Sequence, residues 1–408
     1  GSLEEWAFRL LYEVTGHYNY TILASMGILV ILLGLVVMAW ATRRLIRTMI
    51  GVVMPGESDN LSDLIFSNLQ LSKGPKVVVI GGGTGLSVML RGLKAKTYNL
   101  TAVVTVADDG GSTGRIRQDL DIIAPGDLRN CLVALADKEG LMEKLFAHRF
   151  GGSGNLTGHS FGNLFIAALI EVLGDVEEAM DATSKVLRVR GKVIPSSAEK
   201  LRLNAEMTDG RIVEGESQIP HAHGKIKRVF TTPEHPRAIQ SAVDAIREAD
   251  AIVLGPGSLY TSIMPNLCVP DIVQAVRTSK APKIYICNVM TQPGETDDYT
   301  VSDHIRAINR QAGGKVIDFV IANNGDVDPA VLQRYVAHGS HPVMIDKKEV
   351  SQTGATLILS NLINKENSAT HDTKKLANVL FDLINALRTD LSPELLHYYL
   401  KRYTFNHR

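Results

Sequence analysis

The sequence has little cysteine and no surplus of charge of either sign. Its 408 residues include 3 cysteines, Cys131, Cys268 and Cys287, which are widely spaced and form no C-x-x-C pair. This excludes a disulfide framework and a structural zinc site, and it indicates a reducing compartment. Lys and Arg number 43 against 43 Asp and Glu. Without surplus positive charge the chain lacks the general attraction that holds phosphate backbones, so we expect no nucleic-acid partner.

Two standard nucleotide-binding fingerprints are also missing. No G-x-x-x-x-G-K-[ST] stretch occurs, and Gly81-x-Gly83 is followed by Leu86 where the dinucleotide fingerprint requires glycine or alanine. P-loop hydrolysis and an NAD-dependent dehydrogenase both lose support. The hydrophobic share of 45% still predicts a globular chain with a large core.

One long run without charge extends from Thr21 to Ala41. As a helix it spans ~31 Å, which matches the hydrocarbon core of a bilayer. Arg43, Arg44 and Arg47 follow the run and acidic residues precede it, so the positive-inside rule places the C-terminal bulk in the cytoplasm. This polarity is opposite to that of a cleaved signal peptide. We therefore expect a single-pass protein of the cell membrane, although Gly1-Ser2 in place of an initiator methionine indicates a trimmed start.

Composition divides the chain into consecutive segments. Residues 1–20 form an extracytoplasmic segment and residues 21–41 the transmembrane helix. Residues 42–73 form a juxtamembrane linker, in which Leu61, Leu64, Ile65 and Leu69 recur at helical spacing. The main domain covers residues 74–390, with a small β insertion at about 192–230 where short strands alternate. A C-terminal helix is predicted over 391–408.

The main domain opens with a strand, a glycine turn and a helix. The β-branched run at 76–80 leads into Gly82, Gly83, Thr84 and Gly85, and then into a helical pattern. Further β-α units predict a Rossmann-like, doubly wound and mostly parallel α/β sheet. Glycine-rich turns before a helix bring backbone N–H groups to a phosphate, so this turn is a candidate ligand loop.

A second candidate loop follows the next strand. Asp108 and Asp109 end that strand, and the loop after them supplies five candidate ligand residues, Gly110, Gly111, Ser112, Thr113 and Arg115. Hydroxyls and a guanidinium donate well to phosphate oxygens. The two carboxylates are the candidates for catalysis, and they would hold a ribose hydroxyl or a Mg²⁺ ion bound through phosphates. An Asx-type turn with a solvated acid pair is the alternative.

Three later loops supply the remaining candidates from the residues alone. His159 and Asn163 follow a glycine-dense run, although a lone histidine is more often a structural hydrogen-bonding group, and Asp127 is expected near a helix N-cap. Gly257 and Ser258 lie after another strand, and Asn288 after the next. Strand ends of an open α/β sheet meet at one edge, so these loops predict a single cleft.

Six motifs in chain order resemble one known family over about residues 74–390. They are K-V-V-V-I-G-G-G-T-G-L-S, T-V-A-D-D-G-G-S-T-G-R, P-G-D-L-R-N, G-H-S-F-G-N-L, G-P-G-S-L-Y-T-S and C-N-V-M-T-Q-P-G-E-T-D. The chain resembles the gluconeogenesis factor family (YvcK/GlmR), a branch of the CofD-like superfamily. The resemblance implies a Rossmann-like fold that binds UDP-sugars, especially UDP-N-acetylglucosamine, and helps set carbon flow into cell-wall precursors and cell shape. Some relatives carry an N-terminal membrane hairpin.

The resemblance also carries residue roles and one departure. Tyr335 corresponds to a tyrosine that contacts the UDP-sugar, whereas the residues alone allow either stacking on uracil or packing in a core. The family commonly has arginine where Thr370 precedes His371-Asp372, so a ligand contact there is in doubt unless Lys365 or Lys374 replaces it. The enzymatic branch of the superfamily transfers a phospholactyl group through aspartates equivalent to the Asp108-Asp109 loop.

Two functions remain in competition. The first is a membrane-tethered UDP-sugar sensor that regulates an enzyme of amino-sugar biosynthesis and forms a homo-oligomer. The second is a magnesium-dependent nucleotidyl or phosphoryl transferase related to 2-phospho-L-lactate transferase. No cofactor other than Mg²⁺ with a UDP-sugar is expected.

Overall fold

Two units make up the chain in the computed structural model, Gly1–Leu69 and Gln70–Arg408. The structure describes residues 3–16, 20–53, 69–137, 140–364 and 368–389. The predicted linker helix around Leu61, Leu64 and Ile65 and the predicted C-terminal helix 391–408 lie outside the described residues.

The N-terminal unit contains helices α1 (Leu3–Thr15) and α2 (Tyr20–Val53). Within α2 the stretch Gly27–Leu45 has a mean hydropathy of 2.0, and none of it is buried. In the part of the chain that the structure describes, this is the one helix long and apolar enough to cross a membrane. The helix continues well past residue 41, where the sequence predicts a linker, because residues 42–50 contain neither proline nor glycine.

The larger unit is built on a parallel sheet of seven strands. Its strands are β1 (Val77–Gly81), β2 (Leu100–Val104), β3 (Lys192–Pro195), β7 (Ala251–Leu254), β8 (Lys283–Ile286), β9 (Phe319–Asn323) and β10 (Thr356–Ser360). All five residues of β1 and all four of β7 are buried. Because successive side chains point to opposite faces, both faces of the sheet are covered there. The sheet confirms the predicted Rossmann-like α/β fold.

The strand order reverses beside β1. Strands β2 and β3 lie on one side of β1, and β7, β8, β9 and β10 follow on the other side. Strands β1 and β7 pair directly, with Val77 opposite Ala251 and Ile80 opposite Leu254. In open α/β sheets a ligand crevice forms at such a reversal, outside the carboxyl ends of the strands.

A small antiparallel sheet follows β3. Its strands are β4 (Arg202–Met207), β5 (Ile212–Glu214) and β6 (Ile226–Thr232), and β4 lies in the middle. This is the predicted β insertion, but Lys192–Pro195 belongs to the main sheet, where it pairs with β2. The sequence places that strand in the insertion because the two strand segments are separated by only a few residues.

Helices connect the strands of the larger unit. They are α3 (Gly83–Leu93), α4 (Gly111–Leu120), α5 (Gly126–Leu135), α6 (Leu141–Ala147), α7 (Phe161–Leu173), α8 (Val176–Leu187), α9 (Gln240–Arg247), α10 (Met264–Leu267), α11 (Pro270–Thr278), α12 (Val301–Gln311), α13 (Pro329–Val336), α14 (Lys347–Gln352) and α15 (Thr373–Arg388), with a 3₁₀ helix at Glu216–His221 and a π-helical segment at Leu259–Ile263. Helix α3 packs closely on α15. At their contact, a methyl group at Gly92 would lie 2.5 Å from the carbonyl oxygen of Thr373.

Candidate functional site

The candidate loops after β1 and β7 meet at the reversal of strand order. A methyl group at Gly85 would lie 2.9 Å from the carbonyl oxygen of Pro256 and 3.2 Å from the Cα of Gly257. Only glycine at position 85 permits this approach, because any β-carbon would collide with the backbone of the other loop. The turn after β1 and the turn after β7 therefore form one continuous wall of the crevice.

The loop after β1 offers backbone donors at the start of α3. The N-cap of this helix is Gly82, which has no side chain to cap it, and the N–H of Gly83 donates to the carboxylate of Asp127. The N–H groups that follow in the first turn have no acceptor within the helix. Thr84 is exposed at this terminus, and Gly83 and Gly85 are partly buried. The helix dipole adds partial positive charge at the same place. This arrangement suits a phosphate group.

The two adjacent aspartates after β2 point to different neighbours. Asp108 accepts a hydrogen bond of 2.9 Å from the N–H of Gly110, and a methyl group at Gly126 would lie 2.8 Å from its Oδ2. Asp109 instead accepts a bond of 2.8 Å from the N–H of Ser217 in the β insertion. Asp108 therefore lies beside the start of α5, and Asp109 connects the insertion to the loop after β2.

The loop residues after these aspartates begin a second helix without a side-chain cap. Gly110 is the N-cap of α4 and Gly111 its first residue. Thr113 is buried and forms a side-chain hydrogen bond with Asp108. The uncapped termini of α3 and α4 lie after the paired strands β1 and β2. The two helices thus present two sets of donors at neighbouring strand ends.

Ser112, His159 and Asn163 form a buried polar cluster. The Oγ of Ser112 lies 3.3 Å from Nδ1 of His159 and accepts a bond of 3.4 Å from Nδ2 of Asn163. Burial and the charge of Arg115 lower the pKa of His159, so its ring is neutral near pH 7. These contacts place His159 and Asn163 behind the second loop, where they hold Ser112.

Arg115 ties a neighbouring loop to α4. Its Nη2 donates to the carbonyl oxygen of Thr157 at 2.9 Å, and its guanidinium lies beside Gly158. The predicted phosphate contact of Arg115 stays a prediction, and in this structure the side chain holds the glycine-dense run in place.

A chain of hydrogen bonds joins the loops after β7 and β8. Nδ2 of Asn288 donates to Oε1 of Gln292 at 3.1 Å, and Nε2 of Gln292 donates to Oγ of Ser258 at 2.6 Å. All three side chains are partly buried. Ser258 therefore sits beside Gly257 with its hydroxyl already oriented by the next loop.

Two carboxylates that the sequence did not single out as site residues, Asp127 and Glu216, lie near Asp108, and a third, Glu295, acts on Glu216. Burial and the charge of Asp108 raise the pKa of Asp127 to about 7 and that of Glu216 to about 8. Burial also raises the pKa of Glu295 to about 7 and the pKa of Asp108. Carboxyl groups crowded in this way favour either protonation or a bound cation.

The sequence marks these three carboxylates to different degrees. Asp127 lies in the first turn of α5 but does not cap it, because it accepts a hydrogen bond from the N–H of Gly83 instead. Glu295 belongs to the motif after β8 and accepts bonds from the N–H of Tyr260 and the hydroxyl of Thr261. Glu216 has no sequence signal, because it reaches the cleft on a 3₁₀ helix of the insertion.

The described residues contain no group of three or more His, Cys, Asp or Glu side chains that would hold a metal ion by themselves. A Mg²⁺ ion usually takes one or two carboxylates together with phosphate oxygens and water. The donor set of Asp108 and Asp127 fits that mode.

A cavity of 490 Å³ opens beside Asp109, with Arg117 and Ser217 among its lining residues.

Tyr335 and Thr370 lie away from these loops in sequence. Tyr335 is partly buried and packs against a small apolar cluster that includes Val289 and Met290, the two residues after Asn288. The carbonyl oxygen of Thr370 accepts a bond from the N–H of Asn364, and its side chain is exposed. Lys365 lies outside the described residues, and Lys374 is exposed on α15. Their roles stay predictions.

A parallel sheet with glycine-rich loops and uncapped helix termini at its reversal point defines a Rossmann-like α/β protein. The family model described as 2-phospho-L-lactate transferase CofD matches residues 77–363. A putative gluconeogenesis factor of Nostoc sp. is 51% identical over 357 residues, which cover 87% of this chain and 78% of that protein. The gluconeogenesis factor of Bacillus subtilis is 50% identical over 311 residues, which cover 76% of this chain and 98% of that protein.

The chain is also similar to a solved structure. A crystal structure of a protein from Bacillus halodurans is 48% identical, has a TM-score of 0.74, and covers 76% of this chain and 99% of its own. The chain belongs to the CofD family, in which it groups with the gluconeogenesis factors.

Proposed function

We propose that the chain binds a nucleotide sugar, UDP-N-acetylglucosamine, in the crevice at the reversal of strand order. The observation that carries the proposal is the pair of uncapped helix termini after β1 and β2. A diphosphate has two anionic groups, and two neighbouring sets of N–H donors match them. Tyr335 is the proposed contact to the uracil ring.

We propose a regulatory role, in which the bound sugar nucleotide reports the supply of cell-wall precursors and thereby influences cell shape. The side chains at the loops support binding more directly than covalent chemistry. The hydroxyl of Ser112 is engaged by its buried partners, and burial raises the pKa of the thiols of Cys131 and Cys287. The protein partner in this proposal is an enzyme of amino-sugar biosynthesis.

The proposal also places α2 in the cell membrane and the larger unit in the cytoplasm. Arg43 and Arg44 follow the apolar stretch, which agrees with the positive-inside rule. The guanidinium of Arg44 lies 5.2 Å from the ring centroid of Trp40. An aromatic ring beside a cation is typical of a helix end at a membrane interface.

A thermal-shift panel on the full chain in detergent tests the proposal. UDP-N-acetylglucosamine, GDP, a deazaflavin and NAD are compared, each with and without Mg²⁺. A ligand that binds only the folded state stabilises it by RT ln(1 + [L]/Kd), so the UDP-sugar should give the largest shift. No shift with millimolar UDP-sugar, or a larger shift with GDP, would contradict the proposal.

The crowded carboxylates support a second candidate, a magnesium-dependent transferase of nucleotidyl or phosphoryl groups. The matching family model carries the name of a transferase, and Asp108 and Asp127 would hold the ion. Bound Mg²⁺ would supply positive charge against the phosphates. Phosphorus NMR of the chain with UDP-N-acetylglucosamine and Mg²⁺ checks this candidate: a product that disappears in Asp108→Asn favours it, and an unchanged spectrum excludes turnover of this ligand.

A further inference from the structure

A second cavity lies beside the π-helical segment that follows the loop after β7. It has a volume of 340 Å³, and its walls include Lys227 and Arg228 of β6, Arg310 and Gln311 of α12, and the residues Tyr260 and Met264. Small-molecule sites commonly begin at ~300 Å³ and combine apolar walls with a few polar groups. This cavity is therefore large enough for a compact metabolite, although it is small for a complete nucleotide sugar.

The charge of this cavity is positive. Lys227 and Arg228 both bind the carboxylate of Glu206, each at 2.6 Å. Arg310 is exposed, and the described residues provide no ion pair for it. Two of the three cationic side chains thus share one carboxylate and the third has none among the residues that the structure describes, so the walls carry a surplus of positive charge. Guanidinium groups bind phosphate oxygens with paired hydrogen bonds, so a phosphate ester matches this surplus.

The floor of the cavity belongs to the same segment that borders the crevice. Tyr260 lies in the π-helical segment that follows Ser258. Tyr260 lines the cavity, its hydroxyl bonds to that of Tyr299 at 2.7 Å, and its backbone N–H donates to Glu295 at 3.3 Å. The hydroxyl of Thr261 donates to the same carboxylate at 3.2 Å. Isolated π-helical turns are frequent at functional sites, and this turn both contributes Tyr260 to the cavity and bonds to Glu295.

We propose that this cavity binds a small phosphorylated metabolite and that its occupancy changes the affinity of the crevice for its own ligand. The second half of this proposal rests on the proposed function of the crevice. The phosphate would pair with Arg310 and Lys227, and the organic part would lie on Tyr260 and Met264. Movement of Tyr260 would reach the crevice through Glu295 and Ser258.

Binding is tested on the full chain in detergent by calorimetric titration. The probe is glucose 6-phosphate, glucose is the uncharged control, and ionic strength is held constant because screening alters charge-dependent binding. We expect saturable binding of the phosphate ester only, and a loss of about tenfold or more in Arg310→Gln, because a hydrogen bond to a charged group is removed. Arg306→Gln is the matched control on the same helix, since Arg306 pairs with Asp303 and does not line the cavity.

Either of two results would overturn the site: equal binding by Arg310→Gln and the unsubstituted chain, or no difference between glucose 6-phosphate and glucose.

The coupling between the cavity and the crevice is measured in two ways. Hydrogen exchange of the amides at 259–263 should slow when the probe binds, and the affinity for UDP-N-acetylglucosamine should change by about fivefold or more. Both effects should be absent in Arg310→Gln.

The two proposals fail separately. If UDP-N-acetylglucosamine does not bind at all, the function proposed for the crevice is wrong, whereas Arg310-dependent binding of the probe still supports the cavity. If exchange at 259–263 is unchanged by a probe that binds, coupling between the pockets is wrong.

Discussion

The backbone N–H of Gly83 donates a hydrogen bond to the carboxylate of Asp127, at the terminus of α3 where a phosphate is proposed to bind. The carboxylate and the phosphate are both negative and compete for the same donors. Burial raises the pKa of Asp127 to about 7, so the competition changes near neutral pH.

Ligand affinity should therefore fall as the pH rises through about 7 in the absence of Mg²⁺. Above its pKa Asp127 is charged and repels the phosphate, and below it the group is neutral. We expect a decrease of about tenfold between pH 6 and pH 8.5, since one pKa unit corresponds to ~1.4 kcal/mol. Titrations with UDP-N-acetylglucosamine at the two pH values measure this decrease in affinity. Asp127→Asn should reduce the dependence, leaving the part due to Glu216 and Glu295, and the exposed acid Asp181 provides the control Asp181→Asn. A flat profile in the unsubstituted chain would contradict the prediction.

Glu216→Gln should stabilise the fold at alkaline pH. The pKa of Glu216 is raised to about 8 in the folded state, so between the ordinary glutamate pKa and pH 8 the unfolded chain loses a proton that the folded chain retains. Stability then decreases as the pH rises through this window, and glutamine avoids the loss. We expect a gain of about 1–2 kcal/mol at pH 8, after allowance for solvent screening.

Thermal melts at pH 5 and pH 8 measure this gain, which should shrink at the lower pH. Glu214→Gln is the control, because Glu214 is exposed and pairs with Arg202 at 3.0 Å. An equal effect of both substitutions at both pH values would count against the prediction.

Gly85→Ala should weaken ligand binding more than it weakens the fold. The new methyl group would lie 2.9 Å from the carbonyl oxygen of Pro256, so the loops after β1 and β7 must separate. Overpacking of this kind costs about 1–3 kcal/mol. Gly154→Ala provides a control, because its methyl group would meet nothing within 4 Å. Isothermal titration beside thermal melts separates the two effects, and normal binding by Gly85→Ala would be evidence against the crevice.

Asp109→Ala should loosen the β insertion without unfolding the main sheet. The substitution removes the acceptor for the N–H of Ser217, and loss of a hydrogen bond to a charged group costs about 1.5–3 kcal/mol locally. Hydrogen exchange should become faster at 214–219 and stay slow in β1 and β7. Asp209→Ala is the comparison, because Asp209 bonds to Arg211 within its own hairpin. Protection at 214–219 equal to that of the unsubstituted chain would argue against this role of Asp109.

The sequence predicts the central strands well and the edges of the sheet poorly. Strands β1, β2, β7, β8 and β9 are apolar runs followed by glycine or polar loops, which is a local signal. Strand β3 is a short segment ending in Pro195, so its pairing with β2 depends on tertiary contacts. Strand β10, Thr356–Ser360, is an apolar run too short to be told from a buried helical turn.

The loops of the site follow from the sequence, but the partners of their side chains do not. Asp108 and Asp109 are adjacent, yet one faces α5 and the other bonds to Ser217. Which way each carboxylate points is decided by the insertion, which is remote in sequence. Glu216 arrives with that insertion and has neither periodicity nor a motif to mark it.

The close packing of α3 on α15 has a consequence for synthesis on the ribosome. Gly92 lies in α3, which is synthesised early, and Ala377 lies in α15, which is synthesised late. A methyl group at Gly92 would lie 2.7 Å from Cβ of Ala377. At about 5–20 residues per second, the loop after β1 emerges well before α15, the helix that packs on α3. A nascent chain therefore lacks this contact until α15 has been made, and a chain truncated before Thr373 would lack it permanently.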